Sequence, residues 1–367
     1  MKIGVVGLPN VGKSTLFNAL TNNRVESANY PFATIEPNVG RVSVPDPRVD
    51  WLSEHYSAKS TVFATIDFVD IAGLVRGAAS GEGLGNKFLA NIREADAILH
   101  VVRAFSKQDI VHVDGDVNPE RDINTINLEL ILADIETVEK RMQKVDRLAK
   151  VANDKKSRDE MDVLTKLKTL LDKQLPASFA ELNSKELCIA KSFNLLTSKP
   201  VIYCANLNEE DLENNGDNNP HFQLIKQIAS SQNNGVVGIC AKIEEELSQI
   251  DSLQEKTELM NMYGITASGL HKLISEGYKL LGLISFLTAG EPEVRAWTIP
   301  SGTKAPAAAG KIHTDFERGF IRAEVVSFQD LSSHGTYVKA KESGKVRSEG
   351  KDYIVKDGDI IHFRFNV

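Results

Sequence analysis

Gly7-Leu8-Pro9-Asn10-Val11-Gly12-Lys13-Ser14 is the stretch that decides the fold of this chain. Its spacing is G-x-x-x-x-G-K-[ST], a phosphate-binding P-loop. The apolar run at residues 2–6 precedes it and reads as a buried parallel strand. Residues 14–20 follow with helical spacing. Strand, loop and helix in that order are the context the motif needs, and a chance glycine-rich turn is a poor alternative. The glycines let backbone N–H groups close around a β-phosphate, and the helix N-terminus adds partial positive charge. Lys13 is expected to reach the β- and γ-phosphates and Ser14 to ligate Mg²⁺. Asn10, Val11, Gly12, Lys13, Ser14 and Thr15 form the expected phosphate side of a nucleoside triphosphate site.

Further along, residues 64–69 and 97–102 read as a second and third strand, separated by helical stretches. That alternation implies a parallel sheet with crossover connections. The pattern breaks near residue 119 and resumes with strands at 200–205 and 235–239. In the interruption Leu128, Ile131, Ile135, Val138, Met142 and Val145 are spaced 3,4,3,4,3, a coiled-coil seam. Leu164, Leu167, Leu171 and Leu175 start a return helix, with a hairpin tip near 153–157. Lys140, Lys144, Arg147 and Lys150 stripe one face, more often a solvated surface than an RNA site. From about 281 the texture becomes strand- and turn-rich, with strands at 294–299, 320–326 and 359–365 and a short helix at 304–310. The expected division is 1–118 with 198–280 as nucleotide domain, 119–197 as inserted arm, and 281–367 as a small α+β domain.

A chain of 367 residues is long for one domain, which agrees with this division. A net charge of −7 gives no global pull toward nucleic acid, so RNA contact must come from local patches. Cys188, Cys204 and Cys240 form no C-x-x-C pair and read as reduced thiols. No stretch reaches the length of a membrane span, and the N-terminal run is too short for a signal peptide. A cytoplasmic protein, with no membrane partner and monomeric, is expected.

Asp70-Ile71-Ala72-Gly73 follows the second strand, where an NTPase needs a carboxylate to hold Mg²⁺ through water. Gly73 would meet the γ-phosphate through its N–H. Thr34, in the segment 30–37, stands where a switch loop supplies a hydroxyl to Mg²⁺. Leu74 occupies the place where many GTPases carry a water-orienting Gln, so hydrolysis is slow or uses another group. His112 and His100 are candidates to orient water, although a structural role is commoner for either. After the strand at 200–205 come Asn206, Leu207, Asn208 and Glu209, where GTPases carry Asn-Lys-x-Asp. Leu207 replaces the Lys and Glu209 the guanine-reading Asp. The longer carboxylate displaces bidentate pairing with guanine, and amide contacts from Asn206 and Asn208 suit adenine better. Cys240, Ala241 and Lys242 stand where Ser-Ala-Lys touches the base.

Together these motifs resemble the YchF/Obg-like ATPase family of translation-factor-class P-loop NTPases. The tail segments 316–320 and 350–359 share in the resemblance, which covers the whole chain. It implies a nucleotide domain with a parallel-rich sheet and helices on both faces. It also implies an inserted antiparallel coiled-coil arm and a C-terminal TGS domain of β-grasp type. It implies Mg²⁺, K⁺ held in part by Asn10, preference for ATP or acceptance of both ATP and GTP, ribosome association and a place in stress responses.

Three function classes follow. The first is a slow ATPase switch acting on a ribosome or RNA. The second is a GTP-specific assembly factor. The third is a nucleotide-gated adaptor in which hydrolysis is incidental. For the C-terminal domain, Lys339, Lys341, Lys345, Arg347 and Lys351 are the expected RNA contacts.

Overall fold

The computed structural model describes residues 1–22, 38–71, 84–106, 115–152 and 155–366, with only the backbone described at 84–87 and 147–152. Two compact units emerge. Among the described residues, one comprises 1–22, 38–40 and those between 67 and 273; the other comprises 41–66 and those from 274 on.

The strands are β1 (Lys2–Val6), β2 (Val39–Ser43), β3 (Thr61–Val62), β4 (Thr65–Asp70), β5 (Ala97–Arg103), β6 (Val201–Asn206) and β7 (Gly235–Ile239). They continue as β8 (Leu283–Ala289), β9 (Val294–Pro300), β10 (Phe320–Ser327), β11 (Arg347–Glu349) and β12 (Asp359–Phe365). The helices that matter below are α1 (Lys13–Asn22), α2 (Pro47–Tyr56), α3 (Leu84–Glu94), α4 (Pro119–Ala152), α5 (Lys155–Leu171), α6 (Ser184–Lys191), α7 (Pro220–Ser231) and α8 (Ala241–Gln249).

The first sheet runs β2-β4-β1-β5-β6-β7. Pairings of β1 with β4 and β5, of β5 with β6, and of β6 with β7 are all parallel. β5 is buried at every position, as a central strand covered on both faces must be. The register sets Val5 beside Asp70, and Asn206 between Arg103 and Ile239. The carboxyl ends of these strands therefore share one edge. β1 lies where the connections diverge to β4 and β5, the switch point at which open α/β sheets bind ligands.

The expected arm is present. α4 and α5 run antiparallel, since Arg141 pairs with Glu160 and Lys168 with Glu139. The seam buries Ile131, Val138 and Val145 against Val163, Leu164 and Leu167. Leu128, read as a seam position, is instead exposed. Leu175, read into the return helix, lies past the end of α5 at Leu171 and is exposed as well. Lys140 of the basic stripe pairs with Glu136 of its own helix.

The second sheet runs β11-β10-β12-β8-β9-β3. β10 and β12 are antiparallel, β8 and β9 are antiparallel, and β12 meets β8 in parallel. Phe286, Ile299, Val325 and Phe363 pack with the helix at Ala305–Ile312, giving the mixed β-grasp core. β8 and the segment around α2 and β3 went unread in the sequence. Residues 41–66 were expected in the nucleotide domain, yet they cluster with the second unit because β3 pairs in parallel with β9. The basic run at 339–351 is partly neutralised: Lys345 pairs with Asp330 at 3.3 Å and Arg347 with Glu349 at 3.5 Å.

Candidate functional site: a triphosphate cleft at the strand ends

The loop after β1 carries two left-handed residues, Asn10 at φ 63° and Gly12 at φ 90°. Such turns aim successive N–H groups inward and make an anion nest. Gly12 is obligatory for a second reason: a Cβ there would lie 2.1 Å from Asn206 Nδ2. The Gly12 carbonyl accepts from Leu16 N at 3.0 Å and opens α1, whose first residue is Lys13. The Lys13 ammonium is paired with the Asp70 carboxylate at the end of β4. The cation expected at the phosphates and the carboxylate expected at the metal are therefore in contact with each other.

A cleft of about 1090 Å³ opens at this edge. Asn10, Gly12, Lys13, Ser14 and Thr15 line one side, and Asn206, Leu207, Asn208, Glu209, Cys240, Ala241 and Lys242 the other. The structure thus joins the two halves of the site that the sequence holds nearly two hundred residues apart. Val11 is buried beneath the loop, and its carbonyl faces Asn206.

Asn206 differs in role from the sequence reading. Its Nδ2 donates to Val11 O at 2.9 Å, and its Oδ1 accepts from Ala241 N at 3.0 Å. Buried and engaged at both ends of its amide, it bolts the P-loop to the start of α8. Leu207 borders the cleft but is only 2% exposed, packing with Ala205, Phe222 and Ile225. An apolar side chain at the strand end is drawn into the layer under α7, where the Lys of a GTPase would cover the base. Glu209 is held by Lys242, Oε1 to Nζ at 2.6 Å. That carboxylate raises the Lys242 pKa. Burial pushes the Cys240 thiol up, so it is no thiolate in the cleft.

Phe105, Ser106, Glu210 and Glu245 also line the cleft and were missed. Phe105 is fixed by the Arg103 guanidinium, 4.4 Å from its ring, whose Nε donates to Phe105 O at 3.2 Å. Its position just past β5 was the available signal, because residues beyond parallel strand ends line the crevice. His100 is 2% exposed within the sheet, and burial depresses its pKa to about 3, so it is a neutral structural side chain far from a water-orienting role. Thr34, Gly73, Leu74, His112 and the segment 30–37 lie outside the described residues, as do the side chains of Arg147 and Lys150.

Magnesium fits the donors present. Ser14 offers a hydroxyl and Asp70 a carboxylate, both hard oxygen ligands. Mg²⁺ characteristically takes one or two protein groups and completes its shell with water and phosphate. No cluster of three His, Cys, Asp or Glu side chains occurs among the described residues. No helix among them is long and apolar enough to cross a membrane.

A family model described as "50S ribosome-binding GTPase" matches residues 2–166. A second, for the YchF GTPase C-terminal region and described as a protein of unknown function, matches residues 283–366. The chain is 54% identical to "Ribosome-binding ATPase YchF" of Bacillus subtilis over 99% of both chains. This chain belongs to the YchF/Obg-like ATPase family. The Escherichia coli O157:H7 protein of the same name is 50% identical over 100% of this chain and 99% of its own length. "Obg-like ATPase 1" of Xenopus laevis is 46% identical over 100% of this chain and 92% of its own. Among solved structures, the Schizosaccharomyces pombe YchF GTPase superposes with a TM-score of 0.89 at 40% identity, covering 99% of this chain and 97% of that one.

Proposed function

We propose that this chain is a slow ATPase switch, converting ATP and water to ADP and phosphate, that acts on the ribosome in the cytoplasm as a monomer. The observation that carries ATP over GTP is the Glu209–Lys242 ion pair. A carboxylate that reads guanine must accept from N1–H and N2–H₂, and here it already accepts from an ammonium. The Ala241 N–H, the kind of backbone donor that touches guanine in GTPases, is given to Asn206 Oδ1. Adenine loses nothing by either arrangement, and Phe105 offers its ring an apolar neighbour.

Lys13, Thr34 and Gly73 would stabilise the transferring phosphate, and Ser14, Thr34 and, through water, Asp70 would hold Mg²⁺, which would neutralise the phosphate charge. Asn10 would share in holding K⁺, and His112 would stand in for the missing Gln at Leu74. The ribosome reading rests on relatives named "Ribosome-binding ATPase" that match the whole chain. RNA contact falls to the arm and to Lys339, Lys341 and Lys351 of the TGS domain at 281–367, and the stress role follows the family resemblance.

Calorimetric titration with ATP and GTP, with Mg²⁺ in potassium and then sodium buffer, tests this. ATP tighter by at least tenfold, about 1.4 kcal/mol, is expected. Equal or tighter GTP binding would return the site to a guanine reader. Salt-sensitive co-sedimentation with ribosomes tests the partner.

A further inference from the structure

The carboxyl end of α3 is fastened to the root of the arm by a compact set of hydrogen bonds. Arg93 Nη2 donates to Thr137 Oγ1 on α4 at 2.7 Å, and Arg93 Nη1 to Asn194 O at 3.3 Å. Asn194, in a left-handed turn at φ 48°, returns a bond from Nδ2 to Arg93 O at 3.2 Å. Lys199 Nζ donates to Ala95 O at 2.6 Å, Arg93 O at 3.1 Å and Asn194 Oδ1 at 3.2 Å. It caps α3 where the last carbonyls need donors. Beneath it the Asp134 carboxylate, 0% exposed, accepts from Leu196 N, Thr197 N and Thr197 Oγ1. α4 and the chain leaving the arm are thereby held as one piece.

The same piece reaches the triphosphate cleft through packing. On β1, Gly4 has no side chain, and a Cβ there would lie 2.6 Å from Ile71 Cδ1 and 3.2 Å from Ala95 Cβ. Ile71 directly follows Asp70, and Ala95 carries the carbonyl that Lys199 holds. Asp70 pairs with Lys13. A triphosphate that draws Lys13 to itself and Asp70 to hydrated Mg²⁺ changes the restraint on Ile71. Close-packed interiors pass such a shift to the next contact instead of absorbing it.

We propose that Arg93 and Lys199 are positioning residues that set the arm's orientation and the engagement of Asp70 together, so that the arm is read from the nucleotide and the nucleotide from the arm. The inference rests on the nucleotide-switch reading above. Coupling of this kind is reciprocal, so a change at the arm root must alter nucleotide affinity.

The test uses the whole chain with Cys188→Ser, spin-labelled at Lys155→Cys and Ser231→Cys, together with calorimetry for ATP and ADP in Mg²⁺. In the parent the label separation is expected to differ between ATP and ADP. Thr137→Val and Arg93→Ala are each expected to lower the ATP-to-ADP affinity ratio by about threefold to tenfold and to remove that difference. The double variant should go no further than either single one, and Thr137→Ser, which keeps the hydroxyl, should behave as the parent. A purely structural clasp would shift the urea midpoint while leaving the affinity ratio and the separation change intact, which overturns the inference. A parent that binds ATP tightly but shows one separation with both nucleotides overturns it as well. A parent that fails to bind ATP brings down the switch reading along with it.

Discussion

Replacing Asn206 should separate two functions that its position in the cleft makes easy to confuse. Its amide joins Val11 O at 2.9 Å and Ala241 N at 3.0 Å, and among the described residues no other protein group bonds to either. Asn206→Ala strands one acceptor and one donor. A buried polar group left without a partner costs about 1–3 kcal/mol. Ala241 borders the cleft, and water can enter once the side chain is gone, so the sum falls at the low end, about 2 kcal/mol. Asn206→Asp keeps the acceptor for Ala241 N but sets a carboxylate against the Val11 carbonyl, so the P-loop end alone is disturbed. Urea unfolding gives the stability, hydrogen exchange at the Ala241 amide reports one end of the bolt, and calorimetry gives nucleotide affinity. The alanine variant should lose exchange protection at Ala241 and lose ATP and GTP affinity in equal proportion. The aspartate variant should keep the protection and still bind more weakly. Loss of ATP binding alone, with stability and exchange unchanged, would mean that Asn206 reads adenine and that the bolt is incidental.

Lys242→Met should release Glu209. An exposed pair is a weak restraint, so the GTP-to-ATP affinity ratio is expected to rise by no more than about fivefold by calorimetry. An unchanged ratio would detach Glu209 from specificity. Gly12→Ala places a methyl against Asn206 Nδ2 in a left-handed turn and should abolish nucleotide binding, read by fluorescent-nucleotide titration while circular dichroism stays native. His100 stays neutral in the fold down to about pH 3, whereas the unfolded chain takes up its proton near pH 6.5. The unfolded state therefore binds more protons between those values. Stability is full above pH 6.5 and falls as pH drops toward 3, by about 1.4 kcal/mol per unit in that window. Urea midpoints from pH 4.5 to 7.5 should show a shallower slope in His100→Asn, and equal slopes would place the titration elsewhere.

What could be read from the chain was what is local to it. Residues 7–14 form their loop with their immediate neighbours, and the arm's seam at 131–145 is written in its own periodicity. The strands at Gly235–Ile239 and Asp359–Phe365 were found at their observed ends, each a short run rich in apolar residues and entered from a turn. What escaped depended on partners distant in sequence. Motif spacing puts Asn206 and Leu207 at the cleft, but only the sheet reveals that one amide is consumed by Val11 and Ala241 and that the leucine turns under α7. Phe105 belongs to no motif and comes to the cleft by strand register alone. The basic run at 339–351 read as free charge because Asp330, which partners Lys345, stands on another turn of chain.

The second unit is assembled from widely separated lengths of chain, and this bears on how the protein is made. Asp46 caps α2 and, with Asp357, grips Arg48; Thr61 and Val62 add an edge to β9; Trp51 meets Phe328 edge-on at 5.5 Å. During synthesis residues 41–66 emerge early, and the strands they must join are made last. Val49, Leu52 and Val62, buried in the finished protein, are left waiting through most of translation, while the α4–α5 hairpin needs only its own residues to close. The C-terminal region is therefore no detachable cassette. A chain cut before residue 281 would strand an apolar segment near its beginning, and a nascent chain stalled there would present that segment to chaperones.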